Sequence, residues 1–453
     1  MPLNERHPQY LQFSERWHRC RDAYEGSDAV KARGESYLPR LDSQSNNEYE
    51  AYKTRALWYG ATARTVQGLS GAVTRKSPKI TAPDVIREDL QDITLTGMPL
   101  DGFTKMVFVD LLQTGRIGIL VDQPSTPTTD ARPYWTAYRA EQIINWRTTV
   151  MDGKRHLTMV VLCEQYEMVD DDDIYSVDTE ERYRVLTIEN GVYWQRVYRF
   201  EDDEPVLMFE TTPTIRGEVM DFIPFTFIGV CGSDPEPEKP PLLDMVDVNY
   251  SHFRSSADLE HGRHFTALPT PWIAGFPKDT KLRIGSTIAW VATDPQAHAG
   301  MLEFTGQGLG ALERALESKE KLMAVLGARM LEEQKPSVEA ADTIMFRSSG
   351  ERSTLQSMSL VVGLGFTQCL RWHAMWRGVK DTSNVLMELN RDFIAIAMKG
   401  GDLTALFQVY QGGGISYETW YWNLQRGEIA RPDITADDER LLVDDQQAKD
   451  VVE

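Results

Sequence analysis

The stretch from Pro241 to Val379 constrains the chain most, because its hydrophobic pattern changes type several times in succession. Pro240 and Pro241 open a polar segment in which Leu243, Val246, Tyr250, Phe253 and Ala257 recur every three or four residues. That spacing predicts a helix with one narrow apolar stripe, with Asp247, Arg254, Asp258 and Glu260 off the stripe and the end near His264. A turn-rich segment at 266–276 follows, then a β-favouring run from Leu282 to Val291. A second helix is predicted from about Leu309 to Met330, with Leu312, Leu316, Met323, Leu326 and Met330 at helical spacing. After a loop over 332–351, a third apolar helix carries Leu355, Met358, Val362, Phe366, Leu370 and Ala374, interrupted by Gly363 and Gly365, which invite a bend.

Upstream, residues 10–40 mix aromatic and charged side chains and read as one helix. A polar linker at 41–48 precedes a long helix from Tyr49 to about Val73, striped by Tyr52, Ala56, Tyr59, Ala63, Val66 and Leu69. A helix at Phe103–Leu112 leads into GRIGILVD, a buried strand by its β-branched run. Segments near 156–168, 182–189, 192–200 and 206–211 alternate between turn signals, which indicates an antiparallel sheet of hairpins, ENGV at 189–192 being the clearest turn. The proline-rich segment 233–241 reads as a stiff linker. Beyond the third helix come a strand at Asn384–Asn390, a helix stopped by Gly412–Gly414, another helix capped by Ser416, and an acidic tail at 433–453.

Composition removes several function classes. Of 453 residues, 42% are hydrophobic, enough for a sizeable core, while 48 basic against 68 acidic side chains give a net charge of −20. Gripping nucleic acid requires Lys and Arg to neutralise phosphate, so a DNA-holding basic face is not expected. Cys20, Cys163, Cys231 and Cys369 lack metal-ligand spacing and are expected as reduced thiols. The start of the chain has no apolar signal core, and the longest apolar run, near Phe222–Val230, is too short for a membrane span, so a soluble protein made in the cytoplasm is expected.

Catalytic patterns are weak. TGQGLGA at 305–311, with Gly306, Gly308 and Ala311, superficially fits a dinucleotide fingerprint but lacks the βαβ unit that aims a helix at a pyrophosphate. Asp170, Asp171, Asp172 and Asp173 could serve a metal-dependent nuclease, yet consecutive side chains diverge and a solvated hairpin loop explains them as well. His261 and His264 sit one turn apart near Glu260 without a well-placed third ligand. No phosphate loop, nucleophile elbow or zincin motif occurs, so no cofactor or metal is expected.

The order helix, small β module, helix, loop and glycine-containing long helix resembles that of the portal proteins of tailed phages. The segment DVNYSHFRSSADLEHGRHFTALPTP at 247–271 resembles a hallmark of a phage family of formerly unknown function now regarded as portal-like. YKTRALWYG at 52–60, GRIGILVDQP at 115–124 and MELNRDF at 387–393 extend the resemblance over about the whole chain.

The resemblance implies an α+β portal fold: a mixed wing at 1–240, a first stem helix at 241–264, a β clip at 265–305 and a second stem helix at 306–331. A tunnel loop at 332–351, a kinked helix with a return strand at 352–395, and a helical crown with the acidic tail at 396–453 complete it. Tyr250, Phe253, Leu316 and Met323 would pack the stem, Gly363 and Gly365 would kink the long helix, and Trp272, Phe276 and Trp290 would mark the docking clip. Lys335, Arg347 and Arg352 would face DNA.

The function implied is non-enzymatic. A closed ring, usually of twelve copies, would sit at one capsid vertex of the virion after assembly in the host cytoplasm. It would contact major capsid and scaffolding proteins, dock the terminase large subunit and later the head–tail adaptor, and pass double-stranded DNA without sequence specificity or any membrane. A negatively charged ring would repel DNA in its lumen, which suits a conduit. A metal-dependent nuclease and a monomeric head-assembly scaffold are the alternatives.

Overall fold

The computed structural model describes residues 3–124, 131–169, 175–267, 270–276, 294–302, 306, 308–331, 353–393, 400–427, 429–431 and 434–450. The chain forms two compact units, Met1–Leu389 and Asn390–Glu453. The class is α+β, as the alternation of helical and strand periodicities predicts.

In the first unit four helices come first: α1 (Pro8–Glu25), α2 (Ser27–Ala32), α3 (Asn46–Arg55) and α4 (Ala61–Val73). The single helix expected over 10–40 is broken at Gly26, whose φ of +104° ends α1 and turns the chain into α2. The long helix expected from Tyr49 to Val73 is also two helices. Ser45 and Glu48 start α3 with a reciprocal capping box, and Ala56–Gly60 then leaves the helical path.

A short strand β1 (Lys79–Thr81) is followed by α5 (Leu100–Thr114), which Gly115 terminates in a left-handed conformation. The chain then enters β2 (Arg116–Asp122), buried at every residue, and β3 (Tyr134–Arg139). The hairpins predicted downstream form one five-stranded antiparallel sheet in sequential order: β4 (Ile143–Met151), β5 (Lys154–Val169), β6 (Val177–Glu189), β7 (Val192–Glu201) and β8 (Glu204–Thr211). Asp152–Gly153, Asn190–Gly191 and Asp202–Asp203 turn three of its hairpins with positive φ at both residues, the hand that matches strand twist. A small hairpin, β9 (Thr214–Ile215) and β10 (Glu218–Val219), precedes β11 (Phe225–Gly229), and β11, β2 and β3 make a three-stranded antiparallel sheet. Tyr10 and Trp17 of α1 join Leu120, Tyr138, Val160, Leu162, Leu186 and Phe225 in a core shared by the two sheets.

Next come α6 (Leu243–Ala267), β12 (Thr270–Ala274), β13 (His298–Leu302), α7 (Leu309–Ala328), α8 (Thr354–Trp376) and β14 (Leu386–Glu388), the last pairing with β1. Residues 233–241, expected as a linker, are packed down: Pro235, Pro237 and Pro240 are buried, and Arg155 bonds Glu236 at 2.9 Å. Helix α8 starts at a capping box of Ser353 and Gln356 and is not interrupted at Gly363 or Gly365. Both glycines are contact points. A Cβ on Gly363 would lie 3.1 Å from the Met387 carbonyl of β14, and one on Gly365 would lie 2.9 Å from Ile228 of β11.

The second unit holds α9 (Gly400–Gln411), α10 (Tyr417–Arg426) and α11 (Ala436–Asp450). Ser416 caps α10 by accepting from the Thr419 amide at 3.2 Å. Tyr410 of α9 stacks on Trp420 of α10 with Tyr417 tilted beside them, and the acidic tail segment forms α11, capped by Thr435.

Candidate assembly site

Helices α6 and α7 form an antiparallel pair: Arg263 meets Glu313 at 2.8 Å, and Gly327, at the far end of α7, faces the Met245 sulfur. Between them Lys319 Nζ donates to the Ser251 carbonyl at 3.0 Å and to Ser255 Oγ at 2.6 Å, and His252 Nε2 lies 3.3 Å from Glu320. Burial lowers the His252 pKa, against the pull of Glu320, and burial likewise lowers that of Lys319. The seam is mostly polar.

The apolar stripe of α6 faces the other way. Tyr250, Phe253 and Ala257 are buried with Cys20, Val30, Tyr37, Tyr49, Tyr52 and Trp58 of the N-terminal helices. The Tyr250 hydroxyl donates to the Arg19 carbonyl at 2.9 Å, and Tyr52 donates to Asp258 at 2.6 Å. Of the four stem residues, Tyr250, Phe253 and Met323 are buried and Leu316 is half-buried. Tyr250 and Phe253 meet the N-terminal helices, whereas Met323 belongs to α7.

At the tip of the pair, β12 and β13 form an antiparallel ladder in which Trp272 opposes Gly300. A Cβ there would lie 2.8 Å from the indole nitrogen, so the ring lies over the glycine. Trp272 is exposed and Phe276 half-buried. Trp290, Lys335, Arg347, Arg352 and the run Asp170–Asp173 lie outside the described residues.

The glycine and histidine patterns fall partly or wholly among the described residues. Gly306 and Gly308 precede α7 after an antiparallel hairpin, which supplies no parallel βαβ unit. His264 Nε2 sits 3.2 Å from Arg55, and His261 meets Tyr52 and Phe265 edge-on. Among the described residues no three His, Cys, Asp or Glu side chains converge as metal ligands, and no helix is long and apolar enough to cross a membrane. A cleft of about 430 Å³ is lined by Asp122, Gln195, Thr211, Thr214 and Trp376, where burial raises the Asp122 pKa against a 3.1 Å hydrogen bond from Gln195.

Residues 241–377 match the family described as a domain of unknown function, DUF4055. No curated protein matches the chain. Among solved structures, a chain of the virion of a native gene transfer agent particle is similar at a TM-score of 0.39 and 12% identity, covering 89% of this chain and 99% of that one. A chain from the neck of the empty particle, with C6 symmetry, has a TM-score of 0.41 and 11% identity over 88% of this chain and 98% of that one. One from the neck of the native particle, with C12 symmetry, has a TM-score of 0.39 and 10% identity over the same shares, 88% and 98%.

The matched segment runs from α6 to the end of α8; two sets of residues that hold it, and one buried arginine outside it, escape the sequence pattern. Asn249 donates to the Tyr59 carbonyl at 2.9 Å and accepts from Thr62 at 3.1 Å, while Ser256 accepts from the Leu57 amide at 3.2 Å. These α6 side chains hold residues 56–60 out of helix. Asp89 receives Arg377 and His373 from the end of α8. Arg116 is buried between Trp146 and Phe227, 4.0 and 4.9 Å from the ring centroids.

Proposed function

We propose that this chain is the repeating subunit of a ring at the head–neck junction of a phage-type particle, and more narrowly a portal through which double-stranded DNA passes. The observation that carries this reading is α7. In a helix of 20 residues only Met323 and Gly327 are buried within the chain, while Leu322 and Val325 are exposed and Leu312 and Leu316 half-buried. A helix so little covered by its own chain suits burial against a neighbouring copy, and a radial array of copies closes through heterologous contacts. The β12–β13 ladder at the end of the pair, with Trp272 exposed, gives an end on which terminase and then a head–tail adaptor dock. Lys335, Arg347 and Arg352 are the proposed DNA contacts, weak because nearby carboxylates cancel most of the attraction.

Light scattering with negative-stain imaging of the purified protein tests this. A closed ring is expected, many times the 51.5 kDa of one chain. Leu322→Lys with Val325→Lys should release folded single chains, and replacing 270–300 by a short Gly/Ser turn should leave rings that no longer bind terminase or adaptor. Lys335→Ala with Arg347→Ala should give rings whose heads fill incompletely or lose DNA. A wild-type protein that stays a single chain at all concentrations overturns the reading.

A further inference from the structure

The five-stranded sheet has two open edges, and they are complementary. On one side β8 pairs, among the described residues, only with β7, and Leu207, Met208 and Phe209 are all exposed. On the other side β4 pairs, among the described residues, only with β5. Its beginning is covered where the His7 amide donates to the Ile144 carbonyl and Asn145 to the Glu5 carbonyl, but Val150 and Met151 stand 70% and 50% exposed. An open edge bearing apolar side chains is a template for another strand, and proteins normally blunt it with charge, proline or a bulge. Glu204 and Pro205 guard only the start of β8, and Met208 is the extra residue of a bulge. The bulge bends the strand but leaves Leu207, Met208 and Phe209 exposed.

Charge selects the occupant. Residues 201–211 carry Glu201, Asp202, Asp203, Glu204 and Glu210 and no base. Arg199 holds Glu201 and Arg196 holds Glu210, whereas Asp202, Asp203 and Glu204 have no cationic partner among the described residues. Around β4 the signs reverse. Arg147, Lys154 and Arg155 stand against Asp152 alone, and although Arg155 is engaged by Asp234 and Glu236, Arg147 and Lys154 have no acidic partner among the described residues. An acidic edge meeting an acidic edge would repel, so a two-fold pairing of β8 with itself is disfavoured. The β8 edge of one copy suits the β4 edge of the next.

Direction and register agree. Four reversals separate β4 from β8, so the two edges run parallel and a rotation that carries one copy to the next presents them to each other in the same sense. Setting Val150 opposite Leu207 places Arg147 opposite Glu204, three residues earlier on both strands.

We infer that β8 of each copy pairs in parallel with β4 of its neighbour, joining the sheets of the ring edge to edge. This rests on the ring reading above and adds to it a second, strand-mediated contact distinct from α7.

Cysteines at the paired positions test it. Val150→Cys with Leu207→Cys, oxidised after assembly, should give a ladder of covalent multimers on a non-reducing gel, while each single variant stays uncrosslinked. Arg147→Glu and Glu204→Lys should each lower ring yield by about tenfold at low salt, and the two together should restore it. Circular dichroism melts of these surface variants should match wild type. Rings of the double-cysteine variant that form without any ladder, together with normal ring yield from both single charge reversals, overturn the edge contact and leave the ring standing. Dimers cross-linked by one cysteine alone overturn the head-to-tail pairing. A wild-type protein that never forms rings overturns both.

Discussion

Arg377 holds Asp89 with two arms of its guanidinium, Nε 2.7 Å from one carboxylate oxygen and Nη2 2.7 Å from the other. His373 Nε2 approaches the same carboxylate at 2.8 Å, so the last turn of α8 is fastened to the short helical turn at Asp89–Gln91. Asp89 and His373 are buried, and removing one member of such a cluster leaves a charge without compensation. Arg377→Ala should therefore destabilise the protein by about 3 kcal/mol, with Arg377→Lys recovering only part because an ammonium cannot bond both oxygens side by side. A thermal melt at neutral pH reads both.

The same cluster sets an acid limit. Burial works to raise the Asp89 pKa, but hydrogen bonds from His373 and Arg377 outweigh it and hold the carboxyl to about 2, below its ordinary 3.8. Its contribution is complete above 3.8 and is lost as pH falls toward about 2. Burial lowers the His373 pKa below its ordinary 6.5, so the unfolded chain takes up a proton that the folded chain refuses, and stability again falls with pH. Both slopes have one sign. The melting temperature should drop between pH 7 and pH 3, and Asp89→Asn should start lower at pH 7 and fall less steeply. Parallel curves would disprove the linkage.

Phe253 is fully buried and meets Trp58 edge-on, with ring centroids 5.7 Å apart. Phe253→Ala should cost about 3 to 5 kcal/mol, seen as a lower denaturant midpoint. The loss should be independent of protein concentration, because the contact lies within one chain.

Gly365→Ala sets two effects against each other. Alanine favours a helix interior by about 1 kcal/mol, but its methyl would lie 2.9 Å from Ile228, itself buried. Crowding should win, by about 1 to 3 kcal/mol. Adding Ile228→Val removes one of the two crowding atoms and should recover most of the loss. Equal stability of Gly365→Ala and wild type would show that the contact yields freely.

Arg116 is 1% exposed, and none of its three guanidinium nitrogens has a hydrogen-bond partner among the described residues. Burial lowers its pKa to about 9, against the attraction of Glu236. Aromatic faces offset part of that desolvation, by about 2 kcal/mol, which leaves an expensive cation in a place an apolar chain could fill. Arg116→Met should melt at or above the wild-type temperature. A large drop would mean that the cation has an acceptor and holds the two sheets in place.

Much of the architecture is legible in sequence because the signals that encode it are local. Asn190–Gly191 and Asp152–Gly153 announce hairpins, since both turn positions need positive φ, and the stripe Leu243–Val246–Tyr250–Phe253–Ala257 fixes the buried face of α6. The breaks at Gly26 and at Ala56–Gly60 are hidden for different reasons. Gly26 is one residue in a helical pattern, whereas Leu57, Trp58 and Tyr59 continue the apolar spacing and leave the helix only because Asn249 and Ser256, distant in sequence, capture their backbone. Those two residues lie off the apolar stripe and look solvated. Gly363 and Gly365 each let a neighbouring carbonyl or methyl approach the helix, a role that composition cannot distinguish from bending. Leu316 and Met323 share a stripe, yet only Met323 is buried inside the chain.

The dependence of α6 on residues 56–60 bears on where this protein can be cut. Excised by itself, the segment 241–377 would carry Tyr250, Phe253 and Ala257 into water, stripped of Tyr37, Tyr49 and Trp58, and would leave Asn249 and Ser256 without their backbone partners. Sequence likeness and folding autonomy thus have different borders here, and a soluble fragment has to begin upstream of α3.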